Sequence, residues 1–251
     1  MPTQTIRIGA VGDLHFGRAA KDVLSPVLKA VHDTHPDIML LLGDLTDYGT
    51  VEEAQAVTRE LVNGIKVPLV TVLGNHDYEG NASDAIARTL RDGGITVLDG
   101  DSCEIKGIGF AGAKGFCGGF GRGALGPWGE PVIKQFVHEA VDEALKMESA
   151  LARLRTQVRI VLLHYSPIVD TVIGEPQEIY PFLGSSRLEE PLSRLGVTAV
   201  FHGHAHKGAP EGRLASGAPV YNVSLPLLTK LSPNQPIRLF DVQVNEAQHP
   251  A

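Results

Sequence analysis

Short apolar runs alternate with stretches of helical periodicity along the first third of the chain. Ile6 to Val11 is a β-rich run that stops at Gly12-Asp13. Leu24, Val27, Leu28 and Val31 recur at helical spacing within 22–35. The continuous run Ile38-Met39-Leu40-Leu41-Leu42, entered from Asp37, stops at Gly43-Asp44. Ala54, Val57, Leu61 and Ile65 share one face of a helix over 51–65. Pro68 to Leu73 is a third apolar run, stopping at Gly74-Asn75, and a short helix follows over 82–92. Runs without polar alternation, separated by helices, predict a β-α-β-α-β-α order and a buried parallel sheet.

The middle of the chain is less regular. Residues 95–112 read as two or three short strands, and residues 107–129 are rich in glycine, with Pro127 and Trp128 near their end. That composition predicts a long loop, and long loops in compact domains are functional or mobile. Ile133, Phe136, Val137, Ala140, Val141, Ala144, Leu145 and Leu151 then mark one amphipathic helix over 131–155. The loop and this helix read together as an insert. Arg159 to Leu163 is a strand ending at His164, 185–195 a short helix, and Thr198 to Phe201 a strand ending at His202-Gly203-His204. Residues 219–224 and 236–244 read as closing strands before a short tail. No repeat or linker interrupts the pattern, so a single α/β domain over 1–251 is expected.

Chemistry collects at the strand ends. Asp13 and His15, Asp44, Asn75 and His76, His164, and His204 and His206 each follow an apolar run at once. In open α/β sheets the ligand crevice lies outside the carboxyl ends of the strands, so these residues can converge although they span most of the sequence. Four imidazoles, two carboxylates and an Asn carbonyl can furnish two incomplete coordination shells, particularly with one carboxylate bridging. Mixed nitrogen and hard oxygen suits Mn, Fe, Zn, Co or Ni better than Mg or Ca. Taken singly, Asp13, Asp44 and Asn75 also suit ordinary strand ends or helix N-caps. Gly12, Gly43, Gly74 and Gly203 read as sharp turns that aim the next side chain into the crevice.

Asp13-Leu14-His15, Gly43-Asp44-Leu45-Thr46-Asp47, Gly74-Asn75-His76-Asp77, the lone His164 and Gly203-His204-Ala205-His206 stand in this order along the chain. They resemble the D-x-H, G-D-x-x-D, G-N-H-[DE], H and G-H-x-H blocks of the calcineurin-like metallophosphoesterases. The ordered set is far more specific than any single block. The resemblance implies a four-layer α/β/β/α sandwich, two packed mixed sheets flanked by helices, with the active site at the C-terminal ends of strands. It implies two divalent metal ions: Asp13, His15 and His206 on the first, Asn75, His164 and His204 on the second, and Asp44 between them. His76 is then the non-ligand histidine beside the leaving group, oriented by Asp47. The activity implied is hydrolysis of a phosphate ester by metal-activated hydroxide. Protein phosphatases of this pattern carry Arg after the second block, where this chain has Tyr48-Gly49. The short Gly-His-Ala-His end looks more like the bacterial phosphodiesterase branch, which includes cyclic nucleotide phosphodiesterases. A phosphomonoester or nucleotide pyrophosphate substrate stays open, as does a non-catalytic scaffold on the same fold, which would show broken ligand blocks.

Composition narrows the partners. The 251 residues carry a formal net charge of −7 and no run of Lys or Arg, which argues against a nucleic-acid surface. No apolar run reaches membrane-spanning length, and the segment Met1 to Arg7 has no secretory apolar region. A cytoplasmic protein with reduced Cys103 and Cys117 is expected, with Cys103 in the core and Cys117 open to exposure. His202 reads as packed or supporting and Asp77 as structural, whereas His32, His35, His138 and His249 read as surface residues. Lys114 and Arg122 in the glycine-rich loop are candidate substrate contacts. That loop or an apolar edge strand could also serve a homo-oligomer.

Overall fold

The predicted β-α alternation is realised as one sheet. A computed structural model describes residues 3–17 and 22–245. Met1 and Pro2 and the tail with His249 lie outside the described residues. Strands β1 (Thr3–Val11), β2 (Ile38–Leu42), β3 (Leu69–Val72) and β4 (Thr96–Val97) run parallel, linked by helices α1 (Leu24–Thr34), α2 (Val51–Gly64) and α3 (Ser83–Asp92). The start of α2 follows from a capping box, in which Thr50 and Glu53 satisfy each other's backbone N–H.

The second sheet has the order β5-β6-β7-β8-β10-β9. Its central strands β6 (Ile108–Gly112), β7 (Val158–Leu162), β8 (Ala199–His202) and β10 (Pro219–Asn222) are parallel. Its edges β5 (Asp101–Ile105) and β9 (Glu211–Arg213) are antiparallel to their neighbours. The long helix α4 (Pro131–Arg153) lies in the crossover from β6 to β7. The single turn α5 (Tyr180–Leu183) and α6 (Glu189–Leu195) lie between β7 and β8, and α7 (Leu225–Leu231) precedes β11 (Arg238–Asn245), which pairs antiparallel with β1.

Side-chain alternation along the strands explains the layering. Phe110, Ile160, Leu162 and Phe201 of the second sheet join Ile6, Ile8 and Leu40 of the first in one buried cluster. The neighbours Ala111, Val161, Val200 and Val220 face the other way, against Met147, Ala150 and Leu151 of α4 and Leu192 of α6. Each large aliphatic side chain so buried contributes about 1.5–3 kcal/mol. The result is two mixed sheets flanked by helices. It leaves the C-terminal ends of β1, β2 and β3 beside those of β7 and β8.

Two local expectations are corrected. The helix expected over 185–195 begins at Glu189, because Ser185 and Ser186 pair with the backbone of Gly119. The glycine-rich stretch is not a free loop at its start: Ala113 to Gly115 and Cys117 to Gly119 are buried, so Cys117 is not exposed. The Lys114 carbonyl accepts the N–H groups of His164 and Tyr165, while Gly118 and Gly119 donate to Pro181 and Gly184. Glycine permits these close backbone approaches. Finally, α7 and the three-residue β9 were not foreseen.

Candidate metal centre

The strands stop just short of the candidate ligands. Asp13 lies past β1, Asp44 past β2, Asn75 past β3, His164 past β7 and His204 past β8. The backbone there is strained: Asp13, His15, Asp44 and His204 hold positive φ of 58°, 43°, 49° and 68°. Left-handed non-glycine residues cost on the order of 1–3 kcal/mol each and cluster at functional sites.

The glycines act mainly through space. Only Gly43, with φ +80°, needs a left-handed turn, whereas a Cβ on Gly74 would lie 2.1 Å from Asp44 Oδ1. On Gly203 it would lie 2.4 Å from Asp13 Oδ2. Gly74→Ala is therefore expected to push Asp44 off its position and to weaken metal binding on the order of 10–100-fold. A Mn²⁺ binding isotherm checks this, and an unchanged isotherm removes the steric argument.

Three overlapping groups of side chains offer ligand atoms within 4.8 Å of one another: Asp13, His15 and His206; His15, Asp44 and His76; Asp44, His164 and His204. Asn75 Oδ1 adds to the third group, 2.9 Å from His164 Nε2. Asp13 Oδ1 lies 3.0 Å from His206 Nε2. Asp44 Oδ2 lies 3.7 Å from His15 Nε2 and 3.4 Å from His164 Nε2.

The donor chemistry fits a cation in both positions. His164 Nδ1 faces the Leu42 carbonyl at 2.8 Å and His204 Nε2 the Phe182 carbonyl at 3.1 Å. A carbonyl only accepts, so those nitrogens carry the protons and the opposite nitrogens, His164 Nε2 and His204 Nδ1, are free to bind metal. His15 Nε2 is enclosed and has no hydrogen-bond partner, while its Nδ1 lies 3.3 Å from Asp47 Oδ1. An orphaned lone pair facing the Asp44 carboxylate is favourable only with a proton or a metal ion between them.

Electrostatics point the same way. Burial pulls the His164 imidazolium down, but the Asp44 carboxylate outweighs it and raises the pKa to about 9. Burial works against the Asp44 carboxylate too, yet His164 holds it below the usual carboxylate range. His204 is pushed down to about 4 by burial and by His164. His206 is raised, because its hydrogen bond to Asp13 prevails over burial.

His76 stands at the rim, its side chain 38% exposed. Its backbone N–H donates to Asp44 Oδ1 at 2.8 Å, and its Nδ1 faces the Asp47 carbonyl at 2.7 Å. Asp47 thus meets His76 through its backbone. Its carboxylate is 4.0 Å from that ring and closer to His15. Asp77 is buried and accepts from Gly74 N–H, Thr46 N–H and the Thr46 hydroxyl, an anchor between two of the site loops. His202 is also buried, bonded to the Gly203 carbonyl and to Thr171 Oγ1 at 2.8 Å each, and burial lowers it to about 4. Both fit their expected supporting places.

The loop candidates differ. Lys114 is buried, with Nζ bonded to the Gly115 carbonyl at 2.8 Å. Arg122 is exposed on a single turn, and no hydrogen bond or ion pair among the described residues joins it to the ligand groups. Sequence reasoning missed Tyr165, whose ring packs 4.5 Å from that of His204. Its only signal was adjacency to His164. His32, His35 and His138 are exposed, as expected.

Two mixed sheets flanked by helices thus gather Asp and His side chains that could hold metal ions at their strand ends. The chain belongs to the calcineurin-like phosphoesterase family, whose model matches residues 6–208. It is 22% identical over 198 residues to a probable cyclic nucleotide phosphodiesterase of Vesicomyosocius okutanii subsp. Calyptogena okutanii (strain HA), spanning 76% of this chain and 71% of that protein. Phosphopantetheinyl hydrolase from Mycobacterium tuberculosis superposes with a TM-score of 0.67 at 16% identity, covering 97% of each chain. TT1561 of Thermus thermophilus gives a TM-score of 0.60 at 15% identity, covering 95% of this chain and 99% of that one. These two likenesses show a shared fold. No helix among the described residues is long and apolar enough to cross a membrane.

Proposed function

We propose that the chain hydrolyses a small phosphodiester with two divalent transition-metal ions. Asp13, His15 and His206 hold the first, Asn75, His164 and His204 the second, and Asp44 contributes to both. The linkage of the three ligand groups, the first two sharing His15 and the last two sharing Asp44, carries this reading. Bound there, such a pair supplies Lewis acidity to phosphoryl oxygens and acidifies a water. The nitrogen and oxygen donors favour Mn, Fe, Zn, Co or Ni. His76 is the general acid: with its Nδ1–H held by the Asp47 carbonyl, a second proton carried on Nε2 is the one passed to the leaving oxygen. The Asp47 carboxylate fixes His15.

The diester preference is supported by the phosphodiesterase named among the relatives and by Tyr48-Gly49 where protein phosphatases of this pattern carry a phosphate-binding Arg. The intact ligand set speaks against a scaffold. Two free thiols, Cys103 and Cys117, suit the cytoplasm. The test is metal-stripped protein assayed on bis-p-nitrophenyl phosphate and p-nitrophenyl phosphate, with and without Mn²⁺. Metal-dependent turnover of the diester is expected to exceed that of the monoester. Monoester preference replaces the diester reading with a phosphatase, and metal binding without turnover of either redirects it to pyrophosphates.

A further inference from the structure

Among the described residues, no carboxylate stands within ion-pair distance of the buried Lys114. It is 7% exposed, and its ammonium group, with three N–H donors, makes one hydrogen bond, to the Gly115 carbonyl at 2.8 Å. Around it stand three aromatic rings: Phe116 with its centroid at 4.9 Å, and Tyr78 and Tyr165 at 5.4 Å each. All are within the ~6 Å reach of cation–π attraction, which is strongest when desolvated. Phe116 is braced in turn by Phe136 of α4 at 5.1 Å, and the Glu143 carboxylate of α4 accepts the Gly115 N–H at 2.7 Å.

What this assembly holds is the histidine pair of the third ligand group, His164 and His204. The Lys114 carbonyl accepts the N–H groups of His164 and Tyr165 at 3.0 and 3.2 Å. The Tyr165 ring packs against His204 at 4.5 Å and His164 at 5.5 Å. Among the described residues, none of the hydrogen bonds or ring contacts of Lys114 reaches Asp13, His15 or His206. The geometry points to Lys114 as a positioning residue that acts through Tyr165, setting the His204 ring and so controlling occupancy of the second metal position alone. This rests on the two-metal reading above.

Co²⁺ titration of the metal-stripped full chain tests it, followed by visible absorption and metal analysis. Wild type is expected to bind two ions. Lys114→Met is expected to keep the first at unchanged affinity and to bind the second about 10–100-fold more weakly, the usual effect of losing a residue that orients a ligand. Its one-ion spectrum should match that of His204→Ala and differ from that of His206→Ala. Lys114→Arg, which preserves the cation over the rings, should restore the second ion. If Lys114→Met does not fold, Tyr165→Phe and Tyr165→Leu decide: the first must retain the second ion and the second must lose it. Two ions bound normally by Lys114→Met or Tyr165→Leu overturn the inference, as does parallel weakening of both positions. Wild type that binds no Co²⁺ overturns the two-metal reading together with it.

Discussion

Asp44→Ala is expected to abolish ester hydrolysis and to strip the protein of tightly bound metal. Asp44 is 1% exposed and is common to two of the three ligand groups, with Oδ2 between His15 and His164. Removing one partner of a buried charged pair costs about 3–5 kcal/mol. At 1.36 kcal/mol per decade this is on the order of 10²–10⁴-fold in affinity. The same carboxylate sets a pH dependence. In the metal-free chain burial opposes protonation of His164, but Asp44 raises its pKa from 6.5 to about 9. The folded state thus holds that proton more tightly than the unfolded one. This stabilisation is full below about pH 6.5 and is lost as pH rises through about 9. A metal ion at His164 Nε2 competes with that proton, so binding should release it and apparent affinity should climb through the same window. Calorimetry in buffers of different ionisation enthalpy reads the protons released. In Asp44→Ala only burial and the remaining charges act on His164, and this proton release should disappear. A variant that keeps both ions and a tenth of its activity would show that Asp44 does not join the two positions.

The candidate centre was legible in outline because its candidate ligands sit where continuous apolar runs stop. The runs Ile38 to Leu42 and Arg159 to Leu163 announce buried parallel strands, and in such sheets the residue after the strand faces the crevice. The sequence could not show which atoms meet. Asp47 was expected to orient His76; the turn presents its carbonyl to His76 and its carboxylate to His15, a choice made by backbone direction and rotamer. The tautomer of His204 depends on the Phe182 carbonyl, supplied by a segment 22 residues away. The glycine-rich stretch misled for a related reason. Its composition resembles a free loop, but Gly118 and Gly119 pair with residues 181–186 and the Lys114 carbonyl with His164 and Tyr165, which leaves no periodic trace. Helix α7 is seven residues long with proline in its first turn, too short for apolar periodicity to distinguish it from a strand end.

His76→Ala is expected to separate chemistry from metal binding. His76 belongs to a candidate ligand group with His15 and Asp44, so its part as acid rather than ligand has to be decided by experiment. With its Nδ1 taken up by the Asp47 carbonyl and its side chain 38% exposed, His76 can reach a leaving group that arrives from solvent. General acid catalysis contributes about 10²–10⁴-fold, and the loss in His76→Ala should depend on the ester. An alkoxide leaves poorly without a proton, so turnover of an alkyl ester should fall by the full factor. p-Nitrophenolate is a stable anion and needs little help, so the same variant should lose much less on bis-p-nitrophenyl phosphate. Metal content should match wild type in both assays. Equal losses on the two esters, with metal retained, would reassign His76 to holding charge on the phosphoryl oxygens, and loss of an ion would make it a ligand.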